Sequence, residues 1–160
     1  MKIGAHVSAA GGIFNAPDNA TKLGCETFQV FSRSPQGGPA PKLTTEVVRN
    51  FKTAMVKQGY TDFVIHAPYY INLNSLTTDL MQKSDERLLA AARKGYLAGA
   101  KDIIFHPGSY HTQPPAQVYE RAKEKLLEIT GILRSEGVDV SLRPETMGKS
   151  AMCGSLEDVL

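Results

Sequence analysis

Residues 102–109, Asp102-Ile103-Ile104-Phe105-His106-Pro107-Gly108-Ser109, open as an apolar run and stop abruptly on a histidine, a proline and a glycine. A short apolar run without polar alternation reads as a strand of a parallel sheet, buried on both faces. A coordinating side chain at its end then lies at the mouth of that sheet. Other stretches follow the same plan. Residues 2–7 (KIGAHV) end a short strand near His6, residues 62–67 (DFVIHA) end one at His66, and residues 139–145 (DVSLRPE) end one at Glu145. Residues 26–31 (ETFQVF) supply a further strand without a coordinating end.

Helical patterns separate these strands. One starts near Asn15, tolerates Pro17 in its first turn and stops at Gly24. Thr44 and Thr45 cap a second, with Val47, Val48, Phe51, Ala54 and Met55 at helical spacing and Gly59 closing it. A long third runs over about residues 78–98, with Leu80, Leu88, Leu89, Ala92 and Tyr96 available for one face. Pro114 and Pro115 start a fourth, whose stripe is Val118, Ala122, Leu126, Ile129 and Leu133. Ser155-Leu156-Glu157-Asp158 reads as another helix N-terminus. The stretch 32–41 holds three prolines and two glycines and is a loop, long for an α/β connection.

Strict β/α alternation predicts a parallel sheet with helical crossovers, which suits either an open doubly wound sheet or a (β/α)8 barrel. No GxGxxG follows the first strand, which weakens the dinucleotide-binding version. About five β/α units would make only part of a barrel. The 160 residues suffice for one domain, 1–160, and 42% hydrophobic with 21% charged residues marks an ordinary soluble globular chain. A net charge of +2 neither demands nor excludes a nucleic-acid partner. Cys25 and Cys153 are far apart and in no CxxC pattern, so reduced thiols and a cytoplasmic location are expected. No segment has the composition of a membrane span.

His66, His106 and Glu145 end three successive strands bearing polar termini. Neighbouring strands lie roughly 4.8 Å apart, so their end residues can converge on one ion. Two neutral imidazoles and a carboxylate suit zinc, or manganese, with coordination positions left open. A carboxylate can also bridge two ions, as phosphoryl-displacement sites use it. His6 either bonds a neighbouring loop or orients one of the ligands. His111 lies in a polar loop and reads as solvated. Tyr69 and Tyr70 rim the same face, where exposed aromatics can wedge against bases or stack on them. Equally, one ring packs under the loop and the other caps a helix.

GAHVSAAGG at 4–12, HAPYYINL at 66–73, FHPGS at 105–109 and PETMGK at 144–149 resemble, in order, the successive motifs of endonuclease IV. Those proteins are zinc-dependent apurinic/apyrimidinic endonucleases with a TIM-barrel fold. The resemblance runs the length of the chain, with GSLEDVL at its end also in register. It implies that His66 and His106 bind one zinc and that Glu145 bridges it to a second. The implied reaction is hydrolysis of the phosphodiester 5′ to an abasic site in double-stranded DNA, leaving a 3′-hydroxyl and a 5′-deoxyribose phosphate. Tyr69 would contact DNA at the lesion, and the loop after the second strand would penetrate the duplex. In that loop this chain has Gln36 and Gly38 where the family usually offers an arginine and a tryptophan, so Gln36 and Arg33 become the candidate DNA contacts.

Family members are longer barrels whose later strands complete a three-zinc cluster. The resemblance is thus to the N-terminal portion. A 160-residue chain of this kind is expected to bind at most one zinc, weakly, and to cleave abasic DNA poorly or not at all. Its two open sheet edges favour self-association. Two other readings fit the same residues. Sugar isomerases and epimerases of this barrel type use His/Glu metal sites, and a half-barrel could persist as a non-catalytic binding remnant.

Overall fold

The computed structural model describes residues 1–35 and 41–159. Gln36 and Gly38 lie outside the described residues. Five strands form one parallel sheet: β1 (Gly4–His6), β2 (Thr27–Phe31), β3 (Val64–His66), β4 (Asp102–Phe105) and, after a short ribbon strand β5 (Gly108–Ser109), β6 (Ser141–Pro144). Their spatial order is β1-β2-β3-β4-β6, so each large-sheet strand sits beside its predecessor. That order has no switch point and rules out the doubly wound alternative. It is the sequential winding of a barrel wall, in which right-handed crossovers place every helix on one side.

Four longer helices make the crossovers: α1 (Ala16–Lys22, after a 3-10 turn at Ile13–Asn15), α2 (Thr45–Gln58), α3 (Thr78–Ala98) and α4 (Pro115–Ser135). A short α5 (Leu156–Val159) follows β7 (Met152–Cys153). The Thr44 Oγ1 accepts the Val47 N–H at 3.3 Å to begin α2, and Gly59, at φ +77°, ends it. Gly99 ends α3 in the same left-handed conformation. None of the described helices is long and apolar enough to cross a membrane.

The core lies between the sheet and the helices. Phe28, Val30, Ile65, Ile103 and Phe105 project from the strands into it, meeting Phe51 and Met55 of α2, Leu88, Leu89 and Ala92 of α3, and Ile129 and Leu133 of α4. Along α3 the buried stripe departs from expectation. Leu80 and Tyr96 are exposed, while Ser84, Ala91 and Gly95 are buried. Small residues win there because α3 lies close on the sheet; a Cβ at Gly95 would collide with the Ile103 Cδ1.

The strands are not buried on both faces. Burial alternates along β2 and β4, with the residues between the core positions only half buried. The second face carries Gln29, Phe31, Val64, Ile104 and Arg143, with a 2.7 Å ion pair between Arg143 and Asp102 across β6 and β4. The apolar look of Ile103-Ile104-Phe105 concealed this alternation, because Ile104 is apolar but points away from the helices.

A two-stranded antiparallel ribbon of β5 and β7 pairs Gly108 with Cys153 and Ser109 with Met152. Nothing in the sequence patterns announced it. Gly108 adopts φ +127°, where a Cβ would strike the Asn72 Oδ1. Cys25 and Cys153 are both free thiols. Burial pushes the Cys153 thiol up to about 11, which makes it chemically quiet.

Candidate metal centre

Pairing register explains how the coordinating residues come together. His6 is level with Gln29, Phe31 with His66, and His66 with Ile104. His106 is two residues beyond Ile104, and Glu145 follows Pro144, which pairs with Phe105. Successive strand residues alternate faces, so His6, His66, His106 and Glu145 all project from the uncovered face at its C-terminal rim. The sheet ladder itself continues into the site, with Ala67 N–H donating to Ile104 and Glu145 N–H donating to Phe105 at 2.8 and 2.9 Å.

His66 Nε2 lies 2.9 Å and His106 Nε2 3.0 Å from the same oxygen, Glu145 Oε2. The ligating atoms of these three residues all fall within 4.8 Å of one another. His66 is fully buried, held edge-on by Phe31, Tyr69 and His106, with ring centroids 5.3, 5.2 and 5.1 Å away. Its Nδ1–H donates to the Ala67 carbonyl at 2.6 Å. That bond commits the ring hydrogen to Nδ1 and leaves a lone pair on Nε2 in the neutral ring. The Nε2 lone pair then faces a carboxylate oxygen, an arrangement that is repulsive unless a proton or a cation sits between them.

A divalent cation can take the place of that proton. Burial, then the charge of His66, push the His106 imidazole below its ordinary value, and Glu145 only partly counters them. Burial works to raise the Glu145 carboxyl, but hydrogen bonding and charge from His66, helped by His106, outweigh it and hold it below the ordinary carboxylate value. A neutral imidazole and an ionised carboxylate are the forms that ligate metal. The donor set therefore fits a divalent ion of the zinc type.

His6 is exposed and does not join the three. Its ring lies 4.1 Å from Phe31 and 6.2 Å from His66, and its Nδ1 accepts the Gln29 Nε2–H at 3.0 Å. Burial, then His66, lower its pKa. It lines the approach to the site. Tyr69 lies against the triad. Its ring, half exposed, stacks on His106 at 4.9 Å and 20° and meets Phe31 edge-on at 4.9 Å. It thus forms one wall of the site. Tyr70 turns the other way, with the Arg87 guanidinium 4.6 Å and the Arg33 guanidinium 5.9 Å from its ring centre. His111 is exposed but not merely solvated; at φ +51° its Nε2 accepts the Asn72 Nδ2–H at 3.0 Å.

Phe31 was missed in the sequence. It is the residue in register with His66, and its parity with Gln29 places it on the rim instead of in the core.

Residues 17–160 match the xylose isomerase-like TIM-barrel family, which accords with the sequential parallel sheet and the rim placement of the triad. The chain belongs to that family. Within it the similarity runs to endonuclease IV. A protein of Cenarchaeum symbiosum named "Probable endonuclease 4" is 30% identical over 157 residues, which is 97% of this chain and 55% of the relative. The structure of endonuclease IV from Thermus thermophilus superposes with a TM-score of 0.80 and 33% identity, covering 96% of this chain and 55% of that one. A D-tagatose 3-epimerase-like protein superposes with a TM-score of 0.72 at 15% identity, a likeness of fold alone. The chain spans about half the length of the curated relatives it matches.

Proposed function

We propose that this chain carries the first metal-ligand set of a metal-dependent abasic-site endonuclease. The reaction is hydrolysis of the phosphodiester 5′ to the lesion in double-stranded DNA, leaving a 3′-hydroxyl and a 5′-deoxyribose phosphate. One observation carries the reading: two imidazoles from adjacent strand ends aim at a single oxygen of Glu145 beside an exposed tyrosine. Similarity to proteins named endonuclease 4 supports it.

His66, His106 and Glu145 would hold the ion, zinc in the first instance and manganese as the alternative. When bound, it would polarise water and offset the charge of the phosphodiester. The remaining work belongs to the protein. The Ala67 carbonyl fixes the His66 tautomer, and Phe31 and Tyr69 keep water from the back of the imidazoles. Tyr69 offers its exposed edge to the base stack at the lesion, and Arg33, on the loop after β2, supplies charge to the backbone. Among the described residues this is the one group of three that could hold an ion, so the proposed stoichiometry is one zinc per 160-residue chain. The edge strands β1 and β6 are the proposed route of self-association, which light scattering against concentration would detect.

The test measures zinc per chain and cleavage of a duplex carrying one abasic site, for the wild type, His106→Ala and Glu145→Gln. One zinc per wild-type chain is expected, with slow cleavage, and with both lost in each variant. Zinc retained at wild-type affinity by both variants would overturn the site. Zinc bound without any affinity for abasic duplex, but with binding of a ketose, would overturn the substrate and favour the epimerase chemistry.

A further inference from the structure

Tyr69 and Tyr70 are consecutive, yet their rings serve different places. Tyr69 faces the metal triad. Tyr70 packs against the Arg87 and Arg33 guanidiniums, which border a cavity of about 190 Å3 lined by Ser32, Arg33, Glu86, Arg87 and Lys94 among others. Three of these side chains are cationic and one is acidic. Arg87 and Lys94 lie two turns apart on α3, and Arg33 comes from the loop after β2. Neither Arg87 nor Lys94 forms an ion pair with any carboxylate among the described residues; every ion pair found there involves other cations. The Lys94 ammonium donates to the Pro41 carbonyl at 3.0 Å, which uses one of its three N–H groups. Burial, followed by the charge of Arg33, lowers the Lys94 pKa. Arg87 and Lys94 therefore stand near Arg33 in a partly desolvated place, neither of the two paired with a carboxylate among the described residues.

Such an arrangement costs folding free energy unless an anion offsets it, since gathering cations at low dielectric is unfavourable. The Arg87 guanidinium brings planar, forked donors to the cavity, and the Lys94 ammonium adds a compact point charge. The volume admits a tetrahedral oxyanion. The metal triad does not take part.

We propose that Arg33, Arg87 and Lys94, gathered around this cavity with the Tyr70 ring against both guanidiniums, form a phosphate-binding site separate from the metal centre. It takes a single phosphate group, belonging either to a nucleic-acid backbone or to a small phosphorylated molecule. The inference stands whether or not the triad is a nuclease. Tyr70 positions both guanidiniums, and its neighbour Tyr69 ties the site to the metal rim, so occupancy of the cavity stiffens the turn that presents Tyr69.

The experiment titrates inorganic phosphate into the metal-free 160-residue chain at fixed chloride, reading the phosphorus resonance of the ligand and the melting temperature of the protein. Saturable broadening and a rising melting temperature are expected for the wild type and for His106→Ala. Arg87→Gln and Lys94→Gln should each weaken binding by roughly tenfold, the loss of one charge-assisted hydrogen bond. Arg87→Lys and Lys94→Arg keep the charge, so their retention of part of the affinity guards against simple misfolding. A duplex without a lesion and a nucleoside 5′-monophosphate are then offered as competitors. Displacement by the duplex, steep in salt, assigns the backbone as ligand, and displacement by the mononucleotide alone assigns a small phosphate. No saturation in the wild type, equal binding in the Gln variants, or an ion that neither competitor displaces would each overturn the proposal.

Discussion

The two faces of the sheet are built from the same strands and obey different rules. On the helix-covered face, Phe28, Val30, Ile103 and Phe105 are almost completely shielded from water. One residue along, Gln29, Phe31, Ile104 and Arg143 form a face that stays half exposed and ends in imidazoles and a carboxylate. The period of two lets one short strand serve stability and chemistry at once, without either set of residues touching the other. Mutations on the two faces should therefore separate cleanly.

The largest expected effect tests that separation directly. Phe105→Ala empties a fully buried position and should cost about 3–5 kcal/mol in denaturant unfolding, while Ile104→Ala next to it should cost roughly 1 kcal/mol. Equal costs would mean that the open face is covered in solution. Next comes the rim. His106→Ala should leave the circular dichroism spectrum intact and weaken zinc binding on the order of a hundredfold or more, measured by competition with a chromogenic chelator. Unfolding instead would show the triad to be structural.

A smaller effect probes how closely α3 approaches the covered face. Gly95→Ala drives a methyl into Ile103 and should cost about 1–3 kcal/mol, with most of that recovered in a Gly95→Ala/Ile103→Val double variant. Additive losses would mean that the helix, not the isoleucine, is displaced.

The smallest lies off both faces, at the end of the chain. Asp158 Oδ2 accepts the Tyr110 hydroxyl at 2.5 Å and the Gly154 and Ser155 N–H groups at 3.0 Å each. Burial acts to raise this carboxyl, but the hydrogen bonds from Tyr110 and the two backbone groups prevail and its pKa is lowered from 3.8. Because the folded value is the lower one, the stabilisation is present above pH 3.8 and fades as pH falls through the folded pKa. Protection of the Gly154 and Ser155 amides from exchange, relative to their intrinsic rates, should fall over that acidic window, and Asp158→Ala should cost about 1 kcal/mol and remove this change in protection. Protection that stays constant across that window in the wild type would break the assignment.

Much of this was readable from residues. Runs such as Ile103-Ile104-Phe105 mark strands, and the switch to His or Glu marks the rim, because only a strand end can hold such a group beside its counterparts on neighbouring strands. Helix ends were equally plain at Thr44, Gly59 and Gly99, where side-chain caps and left-handed glycines act locally. What escaped depends on pairing between distant segments. Ile104 and Phe31 are apolar whichever way they face, so only register reveals that they line the open side. Arg87 and Lys94 look like ordinary solvated helix charges until α3 is docked beside the β2 loop. The β5–β7 ribbon has two residues per strand, too few for any periodicity.

That ribbon has a consequence in time. Gly108 and Cys153 are joined across 45 positions, and the segment between them contains α4 and β6. Closing so long a loop for so few hydrogen bonds gains little stability until α4 and β6 have already docked. The loops following His106 and Glu145 are thus tied to one another late, after the covered face has condensed. Zinc competence should accordingly lag behind tyrosine fluorescence when the chain refolds, and the lag would measure how long the second ligand loop takes to find the first.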